Sequence, residues 1–96
     1  MTAEGRIKTD IRNYLTSIGA FWSNVQGGRG SKPGDPDIVV CYKGHYIGLE
    51  AKTPTGVQSP IQERRMREIR AAGGIYEIVR SVEDVKSIME SIRCRT

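Results

Sequence analysis

The strongest constraint on what this 96-residue chain can fold into is the apolar alternation on either side of Lys43-Gly44. If these two residues make a hairpin turn, Tyr42 pairs with His45, Val40 with Ile47, Ile38 with Leu49 and Asp37 with Glu50. Paired residues of an antiparallel ribbon point to the same side. Ile38, Val40, Ile47 and Leu49 then share a face fit for a core. Asp37, Glu50 and, two residues on, Lys52 share the other. A three-residue turn would slip the register by one and send Asp37 to the core face.

Directly opposed side chains lie about 5 Å apart at Cβ, where like charges repel. Two carboxylates so placed at the end of an apolar hairpin suit a hard cation, Mg²⁺ or Mn²⁺, with waters and a substrate phosphate completing its shell. Asp35 is a rival ligand, because the same register sets it opposite Lys52. Taken singly, each residue also has an ordinary role. Asp35 and Asp37 flank Pro36 as loop formers do, and Glu50 and Lys52 fit the wet face of a sheet.

The rest of the chain supplies helices and strands around this hairpin. Ile7, Ile11, Tyr14, Leu15 and Ile18 recur at helical spacing over about 3–18, and Gly19 stops the helix. Residues 20–25 read as a strand, and 26–34 as a basic, glycine-rich loop that lacks the Gly-Lys-Ser/Thr ending of a Walker A loop. Ser59, Pro60 and Gln62 mark a helix start as N-cap, N1 and N3, and Gly73-Gly74 ends that helix. Residues 75–80 form a short strand. Ser81 and Asp84 open a last helix whose buried stripe is Val82, Val85, Ile88, Met89 and Ile92. The order is α-β-β-β-α-β-α, an α/β class with a mixed central sheet flanked by helices. The third strand, the Ser59 helix and the fourth strand form a parallel crossover.

Length and charge narrow the class. Residues 1–96 are expected to be one domain. A formal net charge of +4 favours polyanionic partners, nucleic acid first. Two cysteines, Cys41 and Cys94, and one histidine, His45, make neither a disulfide framework nor a zinc site. No apolar run is long enough to span a membrane and no signal peptide is visible, so a cytoplasmic protein with reduced thiols is expected.

Three further positions bear on the hairpin's charged face. Gln62 falls inside the apolar stripe of Ile61, Met66, Ile69 and Ala72, where a polar side chain needs partners. It closes the capping box with Ser59, serves a site, or does both. Arg65, on the stripe's margin, snorkels or meets phosphate; Arg64, Arg67 and Arg70 face outward. Glu4 projects from the face of Ile7 and Ile11, either as a first-turn acid favoured by the helix dipole or toward the hairpin.

Pro36-Asp37 followed by Glu50-Ala51-Lys52 resembles the PD-(D/E)xK nuclease signature. The element order is similar to that superfamily's restriction-endonuclease-like core. With Gly34-Asp35, Gly56, Ser59, Gln62 and Gly73-Gly74 added, the chain most resembles the VRR-NUC (virus-type replication-repair nuclease) domain, in its stand-alone phage or bacterial form.

The resemblance implies a Mg²⁺- or Mn²⁺-dependent endonuclease, a homodimer cutting branched DNA such as Holliday junctions to 5′-phosphate and 3′-hydroxyl ends. It implies metal ligation by Asp37, Glu50, the Ala51 carbonyl and, through water, Glu4. Lys52 would act at the water or the phosphate, and Gln62 would orient one of them. Arg29 and Lys32 on the glycine-rich loop, then Arg6, Lys8 and Arg12 on the first helix and Arg65, would meet DNA, each with solvated surface charge as its ordinary alternative. Three other functions stay open: a non-cleaving DNA-binding accessory protein, a sequence-preferring restriction or defence endonuclease of the same fold, and a plain α/β interaction module.

Overall fold

In the computed structural model, which describes residues 2–25 and 32–95, the hairpin folds on the expected two-residue turn. Lys43 and Gly44 both take positive φ, 52° and 81°, the left-handed pair that matches the twist of the flanking strands. Strands β2 (Ile38–Tyr42) and β3 (His45–Ala51) pair with Tyr42 opposite His45, Val40 opposite Ile47 and Ile38 opposite Leu49. The sheet continues on both sides. β1 (Phe21–Asn24) runs antiparallel to β2, and β4 (Ile75–Val79) runs parallel to β3, giving the order β1-β2-β3-β4. With α1 (Ala3–Ser17), α2 (Pro60–Ala71) and α3 (Val82–Arg95) the element order is α-β-β-β-α-β-α, as the periodicities required.

The core lies on one side of the sheet. Ile38, Val40, Ile47 and Leu49 are all buried there with Ala51 and Val79, beneath Ile11 and Leu15 of α1 and Val85, Met89 and Ile92 of α3. Helix starts follow their caps. Thr2 Oγ1 accepts from the Gly5 N–H, and Ser81 Oγ from the Asp84 N–H. No helix among the described residues is long and apolar enough to cross a membrane.

The other side is different in kind, and α2 corrects one expectation. Its apolar stripe is not buried: Ile61 and Ala72 are exposed, and Gln62, Arg65, Met66 and Ile69 are only half covered. The physical reason is the surface beneath, where Gly48, Glu50 and Tyr76 alternate with the core-facing residues and Pro36 lies against Gly48. That surface is partly polar and offers α2 little apolar area. Arg70 is exposed, as expected, and from the surface it donates to the Tyr76 carbonyl and the Glu77 carboxylate, each at 2.9 Å.

Gly48 is where the two sides meet the loop before β2. A Cβ there would stand 2.9 Å from Pro36 Cγ and 3.4 Å from the Tyr76 ring. Gly48→Ala is therefore expected to push Pro36 off the sheet and to destabilise the protein by about 1–3 kcal/mol, the usual range for overpacking. Urea unfolding checks this, and an unchanged midpoint would refute it.

Candidate functional site

At the end of the hairpin the chain leaves the ladder, and that departure builds the site. The Asp37 N–H donates to the Leu49 carbonyl at 3.0 Å, and the Asp37 carbonyl accepts from the Val25 N–H at 3.0 Å. The residue is thus fixed through its backbone on both sides. Its Oδ2 accepts from the Ala51 N–H at 2.9 Å. Its Oδ1 is fully buried, has no hydrogen-bond partner among the described residues and lies 3.7 Å from Lys8 Nζ. A buried carboxylate oxygen in that condition is rare and calls for a cation.

Glu50 is the second buried carboxylate, 2 % exposed, which excludes the wet-face alternative for this position. Its Oε1 accepts from the Tyr76 hydroxyl at 2.9 Å, and its Oε2 lies 3.9 Å from Lys52 Nζ. Burial pushes the Glu50 carboxyl up to about 7, the Asp37 charge adds to the rise, and the Tyr76 hydrogen bond opposes it. Burial, then the neighbouring Glu50, also raises the Tyr76 hydroxyl, so it stays a donor at any working pH.

The pair therefore has one oxygen on Asp37 without a hydrogen-bond partner among the described residues and one on Glu50 that lies beside the Lys52 ammonium. Among the described residues no third acidic, histidine or cysteine side chain joins them to make a cage. Few hard oxygen donors, with waters completing the shell, fit Mg²⁺ or Mn²⁺ better than Zn²⁺ or Ca²⁺.

The other sequence-derived candidates fall into place around this pair. Glu4, half-exposed in the first turn of α1, bonds Lys8 Nζ at 3.2 Å and so meets the pair through that lysine. Lys8, expected on the DNA-facing surface, has its ammonium between Glu4 and Asp37. Asp35 does not stand opposite Lys52. The ladder ends at Ile38, and Asp35 turns away to accept from the Lys32 N–H at 2.8 Å and to pair with Arg65 Nε at 3.1 Å.

Arg65 also bonds Glu68 and the Pro33 carbonyl, so its guanidinium clasps the segment that carries Asp37. Gly34 permits this approach of loop to helix: its φ is +88° and a Cβ would strike the Ile61 carbonyl. Gln62 completes the capping box, its Oε1 accepting from the Ser59 N–H at 2.9 Å. Arg12 holds the Asn24 and Thr9 side chains, while Arg6 and Lys32 are exposed. Arg29, and with it most of the glycine-rich loop, lies outside the described residues.

Tyr76 escaped the reading of the sequence, and Lys8 was assigned there to DNA rather than to the carboxylate pair. Tyr76 gave one weak signal, an aromatic in the alternate register of the short strand Ile75–Val79. Lys8 gave another, its i,i+4 spacing from Glu4.

No family model matches the sequence, and no match is found among curated proteins. Solved structures do resemble it. One described as "VRR_NUC domain" superposes with a TM-score of 0.79 at 24% identity, over 94% of this chain and 97% of that one. A second, "VRR_NUC domain protein", gives 0.72 at 17% identity, over 95% of this chain and 88% of that one. The chain therefore has the fold of solved VRR_NUC domains, nearly end to end.

Proposed function

We propose that this chain, folded as the solved VRR_NUC domains are, is a divalent-metal-dependent DNA endonuclease. The carrying observation is the buried Asp37–Glu50 pair with its bare Oδ1, flanked by the Lys52 ammonium. A non-cleaving DNA-binding protein has no need of two carboxylates held together away from water.

Asp37 Oδ1 and Glu50 Oε2, with the Ala51 carbonyl, would hold Mg²⁺ or Mn²⁺. Such an ion polarises the scissile phosphate and acidifies an attacking water. The remaining roles belong to the protein. The Ala51 N–H and the Tyr76 hydroxyl each fix one carboxylate oxygen, which would leave the other for the ion. Lys52 adds positive charge where the phosphate gains negative charge. Glu4 acts from the rim, and Gln62, whose carbonyl oxygen is tied to the helix cap, acts through its amide NH₂ on Lys52 or the water. Phosphates would meet Arg6 and Lys32 first, Arg12 next, and Arg29 on the loop, with little base reading. Arg65 serves by anchoring residues 33–35. The substrates would be branched DNA, four-way junctions above all, cut by a homodimer with one cut per protomer.

Labelled four-way junctions, flaps and linear duplexes incubated with Mg²⁺, Mn²⁺ or EDTA test this. The expected outcome is metal-dependent nicking, strongest on branched DNA, leaving 5′-phosphate and 3′-hydroxyl ends. No nicking of any substrate with either metal would overturn it, and cutting of linear duplex at one fixed sequence would replace it by a restriction or defence enzyme. Lys52→Ala is expected to lower the cutting rate by about 10² or more, the scale of positioned charge and proton-transfer effects. Mn²⁺ binding should survive in that variant, and undiminished cutting would remove Lys52 from the reaction.

A further inference from the structure

We infer that Lys8 is a displaceable counter-ion of the candidate metal site, its ammonium standing against the Asp37 oxygen that a divalent cation takes over. This rests on the metal-site reading above and adds an occupant for the site when no metal is bound.

The two oxygens of Asp37 are treated differently. Oδ2 has a backbone donor, the Ala51 N–H at 2.9 Å, which cannot move without breaking the sheet. Among the described residues Oδ1 has no hydrogen-bond partner; it is paired with Lys8 Nζ at 3.7 Å, beyond hydrogen-bond range, at the end of a four-carbon stem. An ammonium at that distance offsets the buried charge without being locked to it. Glu4 supplies the tether: its Oε1 holds the same ammonium at 3.2 Å from the solvent side, one helical turn earlier.

The Lys8 side chain is 20% exposed and that of Asp37 2%, so the lysine borders solvent where the carboxylate does not. With all groups ionised, Glu4, Asp37 and Glu50 contribute three negative charges and Lys8 and Lys52 two positive ones, a net charge of −1. Without Lys8 the cluster stands at −2 and attracts a divalent ion more strongly. Lys8 thus keeps the carboxylates together in the metal-free protein and competes with the metal for one of them. Once displaced, the ammonium stays at the rim on Glu4, within reach of a phosphate.

The test is Mn²⁺ binding to the full chain without DNA, followed by calorimetry or by the electron-spin signal of free Mn²⁺ at pH 8. Lys8→Met is expected to bind Mn²⁺ about tenfold more tightly or better, because a unit charge within about 4–6 Å shifts a carboxylate's cation affinity by that order. Its metal-free melting temperature is expected to fall below wild type, and saturating Mn²⁺ to close the gap. Lys8→Arg, which keeps the charge, is expected to stay near wild-type affinity. Should Lys8→Met be too unstable to titrate, Lys8→Gln carries the same expectation of tighter binding.

Equal or weaker Mn²⁺ binding by the uncharged variant, with wild type binding normally, overturns the counter-ion and leaves the metal site standing. Loss of binding in Asp37→Asn marks the same site as the one titrated. No Mn²⁺ uptake by wild type or by any Lys8 variant overturns the metal site and the counter-ion together.

Discussion

Glu50→Gln is expected to abolish metal-dependent cutting of DNA and, at pH 8 without metal, to raise the melting temperature by at least about 4 °C, the shift that 1 kcal/mol produces in a domain of this size. The two effects share one cause. Glu50 is buried beside Asp37, and its carboxyl is pushed up to about 7 by burial first and by the Asp37 charge second. A carboxyl whose pKa is raised on folding binds its proton more tightly in the folded state. Stability is therefore greatest below the ordinary carboxylate range and is lost as pH rises through about 7, by a few kcal/mol when complete.

Gln removes that penalty. Its carbonyl still accepts from the Tyr76 hydroxyl, and its NH₂ replaces a like charge beside Asp37. At pH 5, where wild-type Glu50 is already protonated, the gain is expected to vanish. Melting curves at the two pH values, beside a nicking assay, check both halves. A variant that still cuts, or one less stable than wild type at pH 8, would contradict this account. Stability given up at an acidic pair is what a site built for an absent cation should show.

Mn²⁺ affinity is expected to climb about tenfold per pH unit between pH 5.5 and 7 and to level off above, since the metal must displace the Glu50 proton before that carboxylate can hold it. The raised Glu50 carboxyl sets the bend near pH 7 rather than in the usual carboxylate range. Cutting at subsaturating metal should follow the same curve, and EDTA should suppress it at every pH. Titration of metal-free protein across this range is the measurement. A flat profile from pH 5.5 to 8 would mean that Glu50 does not ligate the ion.

The hairpin was legible from residues alone because period-2 alternation and a two-residue turn leave one register that buries Ile38, Val40, Ile47 and Leu49. The helix boundaries were legible for a similarly local reason: Ser59 with Gln62, and Gly19 and Gly73 at positive φ, act within one turn. Asp35 shows where local reasoning stops. Continuing the ladder past Ile38 set it against Lys52, yet the chain turns at Asp37 and delivers Asp35 to Arg65 of α2. No pattern within 33–37 announces an arginine some thirty residues on. The α2 stripe failed likewise, because periodicity tells which side of a helix is apolar but not how much apolar surface awaits it.

By itself the sequence determined the order of elements, the core side of the sheet, and the presence of two acids and a lysine at one end of a hairpin. These follow from periodicities and caps that act over a few residues. It took the packing of the elements to bury both acids, to set Tyr76 and the Ala51 N–H each on one carboxylate oxygen, and to bring Lys8 rather than Glu4 to Asp37. Those contacts join α1, β3 and β4, and their distances depend on how the elements cross, which no single element encodes.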